Sequence, residues 1–157
     1  MRVGIGVRSH LRPFLAGLAI VVASSCDGLP LMGPPVAGNL GAQLVAWQAL
    51  GIDDYSLDVT PSSMWVPAST VRIEVRNGVV VSCRSMETGN LLPLSDTWRC
   101  RSIDAAFEDA VNKQEAGQWE LDIAYDPAYK FIRTLWADVP GWVDEEYGYT
   151  FDRFERR

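Results

Sequence analysis

The stretch TVRIEVRNGVVVSCRS, residues 70–85, decides the fold. Val71, Ile73 and Val75 alternate with charged residues, Asn77-Gly78 supplies a turn, and a second apolar run returns from it, so the segment is a β-hairpin. A two-residue turn at Asn77-Gly78 would pair Val75 with Val80 and leave Val79 and Val81 on the face opposite Val71, Ile73 and Val75. A three-residue loop, Arg76-Asn77-Gly78 with a glycine bulge, instead pairs Val75 with Val79, Ile73 with Val81 and Val71 with Cys83, and puts all six on one face. A one-residue slip turns every side chain over, so burial favours the bulged form and directs Cys83 toward the core.

Upstream of the hairpin, Leu40, Leu44, Trp47 and Gly51 fall at helical spacing, with Gly51 where a left-handed cap is expected. Tyr55 to Val59 then alternates as a short strand that Pro61 should end, followed by a loop from Pro61 to Ser69. Downstream, Ser102 caps a second helix whose apolar face is Ile103, Ala106, Phe107, Ala110, Val111 and Gln114, with Asp104 in its first turn, Lys113 near its end and Gly117 stopping it. Trp119, Leu121, Ile123 and Tyr125 alternate as the inward face of a strand, Asp126-Pro127 turns the chain, and Phe131 to Ala137 returns as its partner. The tail, DEEYGYTFDRF, is aromatic but irregular.

Two segments echo each other. Tyr55-Ser56-Leu57-Asp58-Val59 and Trp119-Glu120-Leu121-Asp122-Ile123 share an aromatic-x-Leu-Asp-aliphatic pattern, each after a helix closed by glycine, which suggests an internal duplication. The predicted fold is α+β: an antiparallel sheet of about five strands in the order α-β-β-β-α-β-β, with two helices packed on one face.

Residues 40–157 have the size of one such domain. Before them, DGLPLMGPPVAGN (27–39) is dense in Gly and Pro and reads as a tether. Residues 1–25 read as a signal peptide: Arg2, Arg8 and Arg12 precede an apolar run of about 11 residues, Pro13 to Ala23, where a membrane-spanning helix needs about 20. Ala23-Ser24-Ser25-Cys26 resembles a lipoprotein cleavage box, with Cys26 the acceptor of the lipid and Ala23 where Leu is usual. Ala23 and Ser25 also satisfy ordinary signal cleavage. The expected location is therefore export with a lipid anchor in the bacterial cell envelope, and the alternative is a secreted soluble protein.

Composition narrows the chemistry. The chain has 14 basic and 20 acidic residues, and removing residues 1–25 takes three Arg and no acid, leaving 11 against 20. Such an acidic domain disfavours nucleic acid, whose phosphates need clustered Lys and Arg. The only histidine is His10, within the signal peptide. Triads that rest on an imidazole base, and most zinc sites, have no residue to use. No catalytic residue, metal site or cofactor is therefore assigned. A hydrolase built on a carboxylate pair stays a remote alternative, since no spacing singles out a pair. With Cys26 committed to lipid, Cys83 and Cys100 are an even pair in a compartment that permits disulfides. They are either bonded or two separate small apolar residues.

Several of these residues form a family pattern. Ala46-Trp47, Gly51-Ile52-Asp53-Asp54-Tyr55-Ser56, Val75-Arg76-Asn77-Gly78-Val79-Val80 within Val71 to Ser82, Tyr125-Asp126-Pro127 with Tyr129, and Asp144-Glu145-Glu146-Tyr147-Gly148-Tyr149 together resemble the bacterial exported-protein family known as domain of unknown function 6174. The resemblance runs from about Gly41 to Phe154 and implies a small envelope lipoprotein without an assigned activity. Family members often carry Cys-x-Cys after the first strand; here Pro61 to Pro67 holds none, so no disulfide is expected in that loop.

Contact sites are the remaining question. Met64-Trp65-Val66, between Pro61 and Pro67, would anchor a protein partner if exposed and would cap the core if folded back. Trp136 should face away from the core, and Trp142 follows Pro140-Gly141 in a loop; both could extend an apolar patch or be covered by the tail. Asp144-Glu145-Glu146 lacks the alternating pattern of a calcium loop and reads as a solvated turn. The expected function is a non-enzymatic interaction or scaffold module at a membrane surface with an envelope protein as partner. A small-ligand binder or inhibitor using Trp65, Trp136 and Trp142 is the alternative.

Overall fold

The computed structural model describes residues 38–64 and 68–157. The order is helix α1 (Leu40–Ala49), strands β1 (Tyr55–Ser63), β2 (Val71–Arg76) and β3 (Val79–Ser85), helix α2 (Ile103–Ala116), and strands β4 (Glu120–Tyr125), β5 (Ile132–Asp138) and β6 (Tyr147–Arg156). The six strands form one antiparallel sheet in the order β3-β2-β1-β6-β5-β4. The protein is α+β, with one strand more than expected. Each half is a helix followed by a three-stranded meander, and the halves meet where β1 pairs with β6.

The helices begin and end as their sequences dictate. The Asn39 side chain accepts a hydrogen bond from Ala42 N at the start of α1, and Ser102 Oγ does the same for Ala105 N in α2. Gly117 follows α2 at φ 71, a left-handed conformation that glycine adopts without strain. Both helices lie on the sheet face presented by Tyr55, Leu57 and Val59. Trp47 of α1 packs edge-on against Tyr55, Phe131 and Phe154, and its Nε1 donates to Asp104 of α2 at 2.9 Å. The Tyr55 hydroxyl accepts from Ile103 N at 3.1 Å, in the first turn of α2.

The hairpin register differs from the expected one. Arg76 pairs with Val79 and Val75 with Val80 across a two-residue turn in which Asn77 and Gly78 both have positive φ, 48° and 74°. An extra residue, Val81, then bulges, so that Ile73 faces Cys83. The bulge sits inside the strand rather than in the turn. It keeps Cys83 buried, as expected, and leaves Val79 and Val81 exposed, which the single-face pairing had placed inside. Asn77-Gly78 carries the tight turn at no steric cost, and the bulge restores the inward phase.

Two boundaries are also corrected. Pro61 does not end β1, which runs to Ser63 and pairs Pro61 with Tyr149. The ladder to β2 stops at Val59–Val71, so the missing N–H of Pro61 costs no hydrogen bond on that side. The tail is a strand, β6, between β1 and β5. Tyr147, Tyr149 and Phe151 alternate toward the helices, then Arg153 bulges at φ 47 and throws Phe154 back onto the same face. That phase shift is why the segment looked irregular.

Cys83 and Cys100 are joined by a disulfide, with Cα atoms 5.7 Å apart. The signal peptide, Cys26, most of the tether, Trp65 and Val66 lie outside the described residues.

Candidate functional site

The sheet has two edges, and they are built differently. Along β3 the outer edge is occupied: Leu92 N donates to Cys83 O at 2.8 Å, Ser85 N donates to Asn90 O at 2.9 Å, and Arg84 bridges Leu91. Its other half carries the Val81 bulge. Both devices discourage a further strand. Along β4 no such cover exists among the described residues; its only ladder is the one to β5.

Beside that free edge lies an open groove of about 580 Å³, lined by Leu40 of α1, Gln114 of α2, and Trp119, Leu121, Asp122, Ile123 and Tyr125 leading into and along β4. Leu121 and Ile123 point to the helix side, opposite Ala137 and Leu135, but stay half-buried, with no strand beyond them among the described residues. Gly38 and Asn39 line one end. On the other sheet face, Glu120 and Asp122 are exposed, opposite Asp138 and Trp136. The edge thus presents an apolar row on one side and an acidic row on the other.

The groove wall at Trp119 is held rigidly. Lys113 Nζ stands 4.0 Å from the centre of the Trp119 ring and 4.9 Å from that of Tyr147, and 3.6 Å from Asp109 Oδ1. Asp109 Oδ2 accepts from the Tyr147 hydroxyl at 2.6 Å and from the Tyr149 hydroxyl at 3.3 Å, and Arg101 Nη1 lies 3.4 Å away. Burial, then the Asp109 carboxylate, push the Tyr147 hydroxyl well above its ordinary ionisation range. Tyr149 is raised chiefly by burial. Both hydroxyls donate to Asp109, so this cluster clamps α2 to β6.

The residues singled out from sequence are dispersed. Met64 is exposed just past β1. Trp136 is 41% exposed on the open sheet face and stands over Gly148 of β6. Trp142 is 67% exposed in the β5–β6 loop, beside a shallow concavity of about 380 Å³ shared with Trp119, Val139 and Pro140. No ring contact joins Trp136 to Trp142 among the described residues. Sequence reading missed the groove, because the strand order that makes β4 an edge cannot be read from alternation alone. The signal that was present is the Leu121-Asp122-Ile123 alternation, with acid outward and no cation nearby in sequence.

The model of a family of unknown function, DUF6174, matches residues 39–156, the whole of the helix-and-sheet unit just described. The chain belongs to this family. No curated protein matches it. Membership in DUF6174 thus fixes kinship for the entire sheet, including β4 and β6, and carries no activity with it.

Proposed function

We propose that this DUF6174 protein is an exported, lipid-anchored interaction module that docks an extended segment of another envelope protein along the free edge of β4. The observation that carries this reading is the unequal pair of sheet edges: β3 is bridged and bulged, whereas β4 is unpaired among the described residues and flanked by an open groove of mixed lining into which Leu121 and Ile123 are set. An added strand gains main-chain hydrogen bonds from the edge and buries alternate side chains in the groove, a common mode of peptide recognition. A second copy of this chain is a poor occupant, because two-fold antiparallel pairing of β4 with itself would bring Glu120 and Asp122 against one another. The tether is a poor occupant too, since Pro30, Pro34 and Pro35 remove ladder donors. Lipid on Cys26 would hold the module at a membrane face, and the Cys83–Cys100 disulfide suits an oxidising compartment.

The test is a selection of extended peptides from a random display library on the purified protein, read by hydrogen exchange of the backbone amides. Selected peptides should slow exchange in Glu120–Tyr125, and Ile123→Lys, which plants a charge in the groove, should abolish the selection. Protection that falls on β3, or on the loops bearing Met64 or Trp142, would move the docking site away from β4.

A further inference from the structure

The two halves of the sheet share one register. Leu57–Ile73 and Asp58–Arg72 across β1 and β2 become Leu121–Ala137 and Asp122–Trp136 across β4 and β5, at one constant offset in numbering. β4 is therefore the counterpart of β1, and β5 of β2. On its other side β1 has β6; on its other side β4 has no strand among the described residues.

The two equivalent aspartates consequently have unequal surroundings. Asp58 is buried and receives a cation from each neighbouring strand: Arg72 Nη1 of β2 lies 3.0 Å from Oδ1, and Arg153 Nε of β6 lies 2.7 Å from Oδ2. At Asp122 the place of Arg72 is taken by Trp136, and no described residue stands in the place of Arg153. No Lys or Arg among the described residues forms an ion pair with Asp122. On the helix side, Leu57 and Val59 are fully buried with β6 alongside, while Leu121 and Ile123 remain half-buried.

Resting on the edge-docking reading, we infer that the segment received by β4 is an antiparallel strand of the β6 type, with an Arg or Lys that reaches Asp122 on the open face and aromatic or large aliphatic residues that enter the groove on the other. The cation would sit on the outer side of Asp122, where Arg153 stands beside Asp58, and make a charge-assisted hydrogen bond to the carboxylate. The alternate positions of the same strand would cover Leu121 and Ile123, as Tyr149 and Phe151 of β6 lie beside β1. The ligand class is thus a cationic, amphipathic β-strand, and the charge complementarity follows from the protein's own internal example.

The experiment uses the purified protein and three labelled ten-residue peptides, followed by fluorescence anisotropy. One alternates Phe and Thr with a central Arg, the second has Glu in place of that Arg, and the third is the Arg peptide N-methylated on its pairing edge. The Arg peptide should bind at least about tenfold more tightly than the Glu peptide, with the preference weakening in salt. Asp122→Asn should erase the preference and Asp122→Lys should reverse it; Asp122 is exposed, and an unchanged circular dichroism spectrum will confirm that both variants fold. Loss of binding on N-methylation supports pairing as a strand. Equal binding of the Arg and Glu peptides, unmoved by Asp122→Asn, would overturn the cationic assignment while leaving the edge as a docking site. Binding of none of the three would overturn both.

Discussion

Trp136 stands over Gly148 so closely that a Cβ added to the glycine would lie 2.8 Å from the indole Cε3 and closer still to the Leu135 carbonyl oxygen. The glycine is there for space, directly opposite Trp136 across the β5–β6 ladder. Gly148→Ala should destabilise the fold by about 1–3 kcal/mol through overpacking, read as a lower urea midpoint at unchanged slope. Adding Trp136→Ala should recover only part of the loss, because the Leu135 carbonyl is backbone and cannot swing away. Full recovery would show that the indole alone sets the limit.

The ion pairs on Asp58 should rank by burial. Arg72, 20% exposed, also donates to Ser56 Oγ at 3.0 Å and to the Arg153 carbonyl at 2.9 Å, and its Nη2 lies 2.7 Å from Glu155 Oε2. Arg72→Ala therefore leaves the buried Asp58 carboxylate with only the exposed Arg153, removes the bonds to Ser56 and the Arg153 carbonyl, and should cost about 3 kcal/mol in urea unfolding. Arg153, 67% exposed, should cost about 1 kcal/mol or less when replaced by Ala. Arg153→Gly should cost less again, since glycine accepts the positive φ at that bulge. An order in which Arg153→Ala is the more damaging change would contradict this account of the network.

Reduction of the Cys83–Cys100 bond should lower stability by about 3 kcal/mol and speed amide exchange in residues 86–99, the stretch that it closes against β3. The Cys83→Ala/Cys100→Ala variant should match the reduced protein and lose its response to dithiothreitol. A variant as stable as the oxidised wild type would show that the hydrogen bonds of Asn90 and Leu92 hold that edge unaided.

Four tyrosines set the alkaline limit of the fold. Burial raises Tyr55, Tyr125, Tyr147 and Tyr149 above their ordinary value of 10.0. The unfolded chain loses these protons near pH 10 while the folded one retains them, so the stability they confer is complete below that pH and is lost as pH rises beyond it. Absorbance at 295 nm and far-UV circular dichroism should change together, with most phenolate forming only as the fold is lost. Tyr147→Phe should shallow the alkaline decline. Ordinary ionisation of these groups ahead of any loss of circular dichroism would contradict their burial.

Much of this architecture could be read from local pattern. Ser102, Gly117 and the 103–114 face specify α2 by capping and periodicity, Trp119 to Tyr125 specify β4 by alternation, and Cys83 and Cys100 could be read as a candidate pair whose bond the structure then shows. What escaped was set by pairing at long range. Val81 bulges because Cys83 must face inward opposite Ile73, a condition imposed by the disulfide and the core rather than by the turn. β6 was hidden because Arg153 breaks its alternation, and that break makes sense only once Asp58, far away in sequence, is seen to hold the guanidinium. The groove depended on strand order, and no residue of β4 announces by itself that it will stand at an edge. The exposed Trp136 was legible, whereas its role as a lid on Gly148 required the β5–β6 register.

The placement of β6 constrains the time course of folding. Among the six described strands it comes last in chain order, yet it is the seam between the halves, pairing with β1 on one flank and β5 on the other. Until Tyr147–Arg156 pairs with β1, the β1–β3 meander and the β4–β5 hairpin share no ladder, so long-range closure of the sheet should come late in folding. If the chain is exported as proposed, such a delayed zipper would keep it open until it has crossed the membrane.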